Sequence, residues 1–169
     1  MKKTIILLVV LALFSTQTNA QTKEEKKEQK ELKAQNSYLA IKALIISKTY
    51  EFSADLISST GSRINITSGS TLITVKKDSA VAGMQYFGTV TTIGPRGSEG
   101  VSFDNVMNNY KVIFDDEKKK IRISFTIKNK SEYFDINMSV FASGNAYVDV
   151  YSNHKSSVTY DGNISAIKP

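Results

Sequence analysis

Two periodicities divide this chain. Residues 120 to 128 read Lys120-Ile121-Arg122-Ile123-Ser124-Phe125-Thr126-Ile127-Lys128, a strict alternation of apolar and polar positions. Successive side chains of a strand point to opposite faces, so the four apolar residues share one face and the polar residues the other. Phe134, Ile136, Met138 and Val140 repeat the pattern against Tyr133, Asp135, Asn137 and Ser139. Ala146, Val148 and Val150 repeat it against Tyr147, Asp149 and Tyr151. Further strands are predicted over 49–57, 63–67, 71–77, 79–87, 101–103, 109–114 and 158–164. Before residue 48 the period is helical. Thr22-Lys23-Glu24-Glu25 has the form of a capping box, and the Lys, Glu, Gln, Leu and Ala that follow are good helix formers. Up to about Lys33 this helix offers almost no apolar face, so that part is solvated; from Tyr38 onward Leu39, Ile41, Leu44, Ile45 and Ile46 crowd the turns and should dock it. Leu32, Leu39 and Ile46 recur at seven-residue spacing, which would suit a coiled coil, but over two heptads only.

The links between the strands are short and polar: Asp115-Asp116-Glu117-Lys118, Asn129-Lys130-Ser131, Ala142-Ser143-Gly144 and Ser152-Asn153-His154-Lys155. Such links demand antiparallel neighbours, because a parallel pair needs a crossover of a dozen residues or more. Clean alternation means that one sheet face is wet, and a long meander exposes an edge unless it closes. The expected fold is therefore all-β with one N-terminal helix, an antiparallel up-and-down β-barrel. A two-sheet β-sandwich is the alternative.

The start of the chain changes the picture of where this fold works. Lys2 and Lys3 precede an apolar run from Ile5 to Phe14, followed by small and polar residues up to Ala20. That is the layout of a cleavable secretory signal, and the run is too short to span a bilayer. The expected organisation is a signal peptide over 1–20, cleaved after Ala20, a helix over 21–48 and a barrel domain over 49–169, with a periplasmic or extracellular address and no stable membrane span. Loss of Lys2 and Lys3 lowers the formal charge from +6 to +4. The remaining lysines are scattered among acids rather than gathered on one face, which argues against nucleic acid as a partner. There is no cysteine, so thiolate zinc sites, redox chemistry and disulfides are excluded.

Candidate chemistry is sparse. His154 is the single histidine, so any Ser–His pair would have to use it; it sits in a turn and reads as a surface histidine, and one His cannot supply the donors of a zinc site. Asp115-Asp116-Glu117 lacks the spacing, the Gly and the distal Glu of a calcium loop. The Gly-rich loop Gly94-Pro95-Arg96-Gly97-Ser98-Glu99-Gly100 leads into a strand rather than a helix, so the context for phosphate binding is missing. No catalytic residue, metal ligand or cofactor is assigned. The candidate ligand-binding residues are Tyr86, Phe87 and Tyr160, aromatics at strand ends beside glycine, with Arg96 placed to meet an acidic head group. The same aromatics would also serve as core filler.

The order of features resembles the DUF4251 family of exported Bacteroidetes proteins of unknown function. The resemblance is carried by Ser47–Asp55 (SKTYEFSAD), Ile64–Asp78 (INITSGSTLITVKKD), Tyr86–Gly88 (YFG), Glu99–Asp104 (EGVSFD) and Ser152–Ile164 (SNHKSSVTYDGNI). It covers the whole mature chain and implies a lipocalin-like or streptavidin-like barrel; it implies no activity. Met84-Gln85 stands where relatives carry Leu-Pro, and His154-Lys155 where an Arg is usual, so Lys155 keeps a charge without the bidentate fork. Two functions follow as expectations. One is a non-enzymatic binding protein holding a small amphipathic ligand, such as a fatty-acid-like anion, in the barrel. The other is a cell-envelope module with a solid barrel core that meets another protein.

Overall fold

Lys48 ends the helix. In the computed structural model, which describes residues 23–59, 61–67, 69–90 and 100–167, helix α1 spans Lys23–Ile46. Lys48 then takes a left-handed φ of 50°, the conformation that stops a helix and turns the chain. Its backbone N–H donates to the Ile45 carbonyl at 3.1 Å, and the Ser47 hydroxyl donates to the Leu44 carbonyl at 2.7 Å. The chain divides into two compact units, one ending at Lys33 and one beginning at Ala34. In the first, residues 23–33 are helical and exposed. In the second, Tyr38 and Ile45 are buried in the core, joined by partly buried Ile41 and Leu44. The leader predicted over 1–20, its cleavage point and Thr22 lie outside the described residues.

Among the described residues ten strands follow: β1 (Thr49–Ser59), β2 (Ser62–Asn65), β3 (Leu72–Lys76), β4 (Ser79–Gln85), β5 (Gly100–Val106), β6 (Asn108–Asp115), β7 (Lys120–Asn129), β8 (Glu132–Phe141), β9 (Asn145–Ser152) and β10 (Val158–Ser165). All pair antiparallel in one sheet of order β5-β4-β3-β1-β10-β9-β8-β7-β6, with β2 also on β1. β2 lies along the second half of β1 and β3 along its first half, so the two act as one interrupted strand. β5 and β6 are likewise one strand bent at Met107, paired to β4 before the bend and to β7 after it. With those joins the sheet is an up-and-down meander whose last strand returns to its first through the β1–β10 ladder. This is the barrel that the alternation predicted, nearly closed on itself.

The remaining gap lies between β5 and the end of β7. Two asparagine side chains bridge it: Asn105 Nδ2 donates to the Lys128 carbonyl at 2.9 Å, and Asn129 Nδ2 to the Ser102 carbonyl at 2.6 Å. A bulge between Asn108 and Lys111, with Asn109 at φ 55°, bends the strand around this corner. A second bulge, between Ala54 and Leu56 of β1, brings β10 so near that Gly162 has no room for a side chain. A Cβ there would overlap the Ser53 carbonyl oxygen and lie 2.8 Å from the Ala54 Cα. Glycine is the residue that permits this approach.

The inner face is filled. Tyr50, Phe52, Phe103, Phe125, Phe134 and Tyr160 are each at most 2% exposed, and Ile57, Ile73, Ile121, Ile123, Ile136 and Val148 pack between them. Phe103 and Phe134 meet with centroids 5.6 Å apart, and Tyr110 stacks on Phe125 at 6.2 Å. Tyr50 and Tyr110 share a hydroxyl–hydroxyl hydrogen bond of 3.3 Å. At one end α1 docks: Tyr38 Oη and Lys42 Nζ both donate to Asp116 Oδ1 at 2.6 Å, and Lys48 Nζ donates to Asp78 Oδ1 at 2.8 Å. Lys42 also lies 4.9 Å from the Phe114 ring centroid. The opposite end gathers residues 86–90, which follow β4, with the β7–β8 and β9–β10 connections.

Candidate functional site

At that opposite end β4 delivers three consecutive residues into different surroundings. The Gln85 carbonyl points toward the core and accepts a hydrogen bond of 2.7 Å from the buried Tyr160 hydroxyl. Burial holds the Tyr160 phenol protonated, with its pKa raised. Tyr86 is half-buried, and its hydroxyl reaches the Thr89 carbonyl at 2.9 Å and Ser156 Oγ at 2.8 Å. The Ser156 hydroxyl in turn accepts from the Thr89 N–H at 3.1 Å, and the Ser156 N–H donates to the Thr89 carbonyl at 2.9 Å. Gly88 lets this clasp close, since a Cβ there would overlap the Tyr86 hydroxyl and lie 2.8 Å from Ser156 Oγ. Phe87 turns outward, 43% exposed, beside a shallow hollow of about 200 Å³ that Ser59, Ser62 and Ile64 also line.

Beneath the clasp lies an ion pair. Lys155 Nζ donates to both Glu132 carboxylate oxygens, at 2.6 and 2.8 Å, and the two side chains are 4% and 12% exposed. Glu132 also accepts from the Ser152 hydroxyl at 2.6 Å. The ammonium sits 5.6 Å from the Phe134 centroid and 6.0 Å from that of Tyr86. Hydrogen bonds to both oxygens, with aromatic faces around the cation, are what a desolvated pair requires. It ties the start of β8 to the β9–β10 connection.

Of the residues singled out in the sequence, Tyr86 and Tyr160 are brought together on either side of Gln85, each bound to backbone carbonyls rather than left open to a ligand. Phe87 is exposed. Arg96 lies outside the described residues. The Lys155–Glu132 pair was not anticipated. Its one sequence signal was the lysine in the last turn, and nothing in the alternation of β8 marked Glu132 as its partner. Among the described residues, no group of three or more His, Cys, Asp or Glu side chains is gathered closely enough to hold a metal ion.

The outer face of the sheet has its own relief. Two adjoining hollows of about 300 and 280 Å³ run along β7 and β8 and share Ser124 and Asn137. Tyr151 stands at the edge of the second.

A small antiparallel barrel with a filled interior, capped by a helix at one end and clasped by loops at the other, defines the class of protein. The chain belongs to the DUF4251 family: the family model, "Domain of unknown function (DUF4251)", matches residues 31–164. Among solved structures it is similar to a DUF4251 family protein from Bacteroides eggerthii DSM 20697, with a TM-score of 0.63 and 20% identity. That match covers 77% of this chain and 87% of the other, and it establishes the shared fold. No curated protein matches this chain.

Proposed function

We propose that this chain is an exported, non-enzymatic binding module that meets its partner with its outer surface and keeps its barrel interior closed to any guest. The observation that carries the reading is the interior itself. A barrel of this size is either packed solid or left with room for one small ligand. Here six large aromatic side chains, each at most 2% exposed, occupy that room. The aromatics expected to line a pocket, Tyr86 and Tyr160, are instead tied to backbone carbonyls. Of the two expectations, a guest in the barrel or a solid core that acts by contact, the second has the stronger support.

The signal layout of residues 1–20 supports the exported address. Among the described residues no helix is long and apolar enough to cross a membrane. The remaining surface is mixed in charge and wet, suited to contact rather than insertion. The reading is tested by thermal shift with fatty-acid-like and other amphipathic anions. The melting temperature of the mature chain is expected to stay unchanged across the panel; stabilisation by any of them, with its chain located inside the barrel, overturns the reading.

A further inference from the structure

We propose that α1 pairs in parallel with α1 of a second copy of this chain, making the protein a homodimer. The inference goes beyond the closed-barrel reading and holds whether or not the interior takes a guest. The residues that carry it are Leu32, Asn36, Leu39, Ala43 and Ile46, spaced four, three, four and three apart. That spacing keeps them on one line of a helix, as the a and d positions of a heptad do, with the three aliphatic residues at d. Leu32 is 63%, Leu39 50% and Ile46 63% exposed, so three large apolar side chains meet water along this line. Docking on the barrel uses Tyr38, Ile41, Leu44 and Ile45 and leaves Asn36, Leu39, Ala43 and Ile46 all exposed.

What selects a second copy is the match of this line with itself. Laid parallel and in register, Leu32, Leu39 and Ile46 each meet their own counterparts. Asn36 does too, and its amide offers a donor and an acceptor to an identical amide. A single Asn at an a position specifies register and two-stranded pairing in this way. Ala43, the other a residue, lets the two backbones approach. The flanking charges agree: Glu28 at g and Lys33 at the following e are five residues apart, the separation at which g of one helix meets e of a parallel partner. An antiparallel pair would set Asn36 against Leu39 and lose the Glu28–Lys33 contact. A membrane surface fits poorly, because Glu25 lies on the line seven residues before Leu32 and Glu28 lies beside it. From Leu32 to Ile46 the line is ~21 Å long at ~1.5 Å per residue, short for an isolated helix pair. Docking on the barrel already orders residues 34–46 and lowers that cost.

The test is sedimentation equilibrium of the protein, expressed from its full sequence, at about 1 μM to about 1 mM. A monomer–dimer equilibrium is expected within this range. Leu39→Glu, checked for an unchanged circular dichroism spectrum, should weaken it by about 100-fold or more. Asn36→Leu should tighten association by about tenfold and admit species larger than a dimer, since the amide specifies two strands at a cost in stability. Val81→Ala, on the exposed outer face of β4, should leave it as it is. Orientation has its own readout. The chain has no cysteine, so Leu32→Cys supplies one thiol per copy. In the parallel pair the two thiols face each other, and air oxidation should give a covalent dimer. In an antiparallel pair they would lie about eleven residues, or ~16 Å, apart along the helices, beyond the ~7 Å between Cα atoms that a disulfide allows. A monomer at every concentration, a dimer that Leu39→Glu leaves intact, or a dimeric Leu32→Cys variant that does not cross-link would overturn the proposal. A small molecule retained inside the barrel defeats the closed-barrel reading and leaves this inference standing.

Discussion

Arg122 and Ile123 are neighbours in sequence with opposite fates. Ile123 is 1% exposed and Arg122 lies on the wet face. Ile123→Glu would place an unpaired carboxylate in the core, at a cost on the order of 3–5 kcal/mol from a total of ~5–15 kcal/mol. Arg122→Glu should change stability by no more than about 0.5 kcal/mol. Urea denaturation of both variants checks this, and equal midpoints contradict the register. Lys155 carries the second prediction at this scale. Lys155→Met would strand the Glu132 carboxylate, costing about 3–5 kcal/mol, and adding Glu132→Gln should recover part of the loss. If the double variant is no more stable than Lys155→Met, the ion pair is not the anchor of that end. The core side chains were readable from alternation alone. The ion pair was not, because its partners come from a strand start and a distant loop that only the folded barrel brings together.

At the scale of elements, the docking of the second half of α1 depends on pH. The Lys42 ammonium and the Tyr38 hydroxyl, both bonded to Asp116, hold its carboxyl below the usual carboxylate range. A carboxyl depressed in the folded state contributes stability above its unfolded pKa, and that contribution is lost as pH falls through the folded value. Tyr38 shifts the other way: burial, then the bond to Asp116, pushes its phenol up to about 12. Its contribution is complete below the unfolded value of ~10 and is lost as pH rises from there through about 12. Amide exchange should therefore show residues 34–46 losing protection relative to the barrel as pH falls from 6 to 3. Asp116→Ala should show the low protection at both pH values; a pH response that survives in that variant places the switch elsewhere. The docking half of the helix could be read from Tyr38, Ile41, Leu44 and Ile45. Its anchor could not, since Asp116 reads in the sequence as a plain turn residue. The seam is similar: Asn105 and Asn129 look like strand-end polar residues until the bend at Met107 sets them opposite bare carbonyls of the neighbouring strand.

For the molecule as a whole, short polar links and alternating strands were enough to anticipate an antiparallel barrel, and the ladder from β1 to β10 closes it as such a meander must. What the sequence left open was the inside. The composition of the inward face is the same for a packed barrel and a hollow one, because aromatic side chains can line a cavity or fill it. Only their mutual placement decides, and here Phe103 packs against Phe134 and the Tyr50 hydroxyl meets that of Tyr110. The outer surface is then the part of the molecule free to recognise anything. Native mass spectrometry of the protein purified from its own source tests this most directly. A solid interior predicts the mass of the polypeptide alone, with no retained apolar or amphipathic small molecule; a stoichiometric guest of that kind, released only on unfolding, would contradict it.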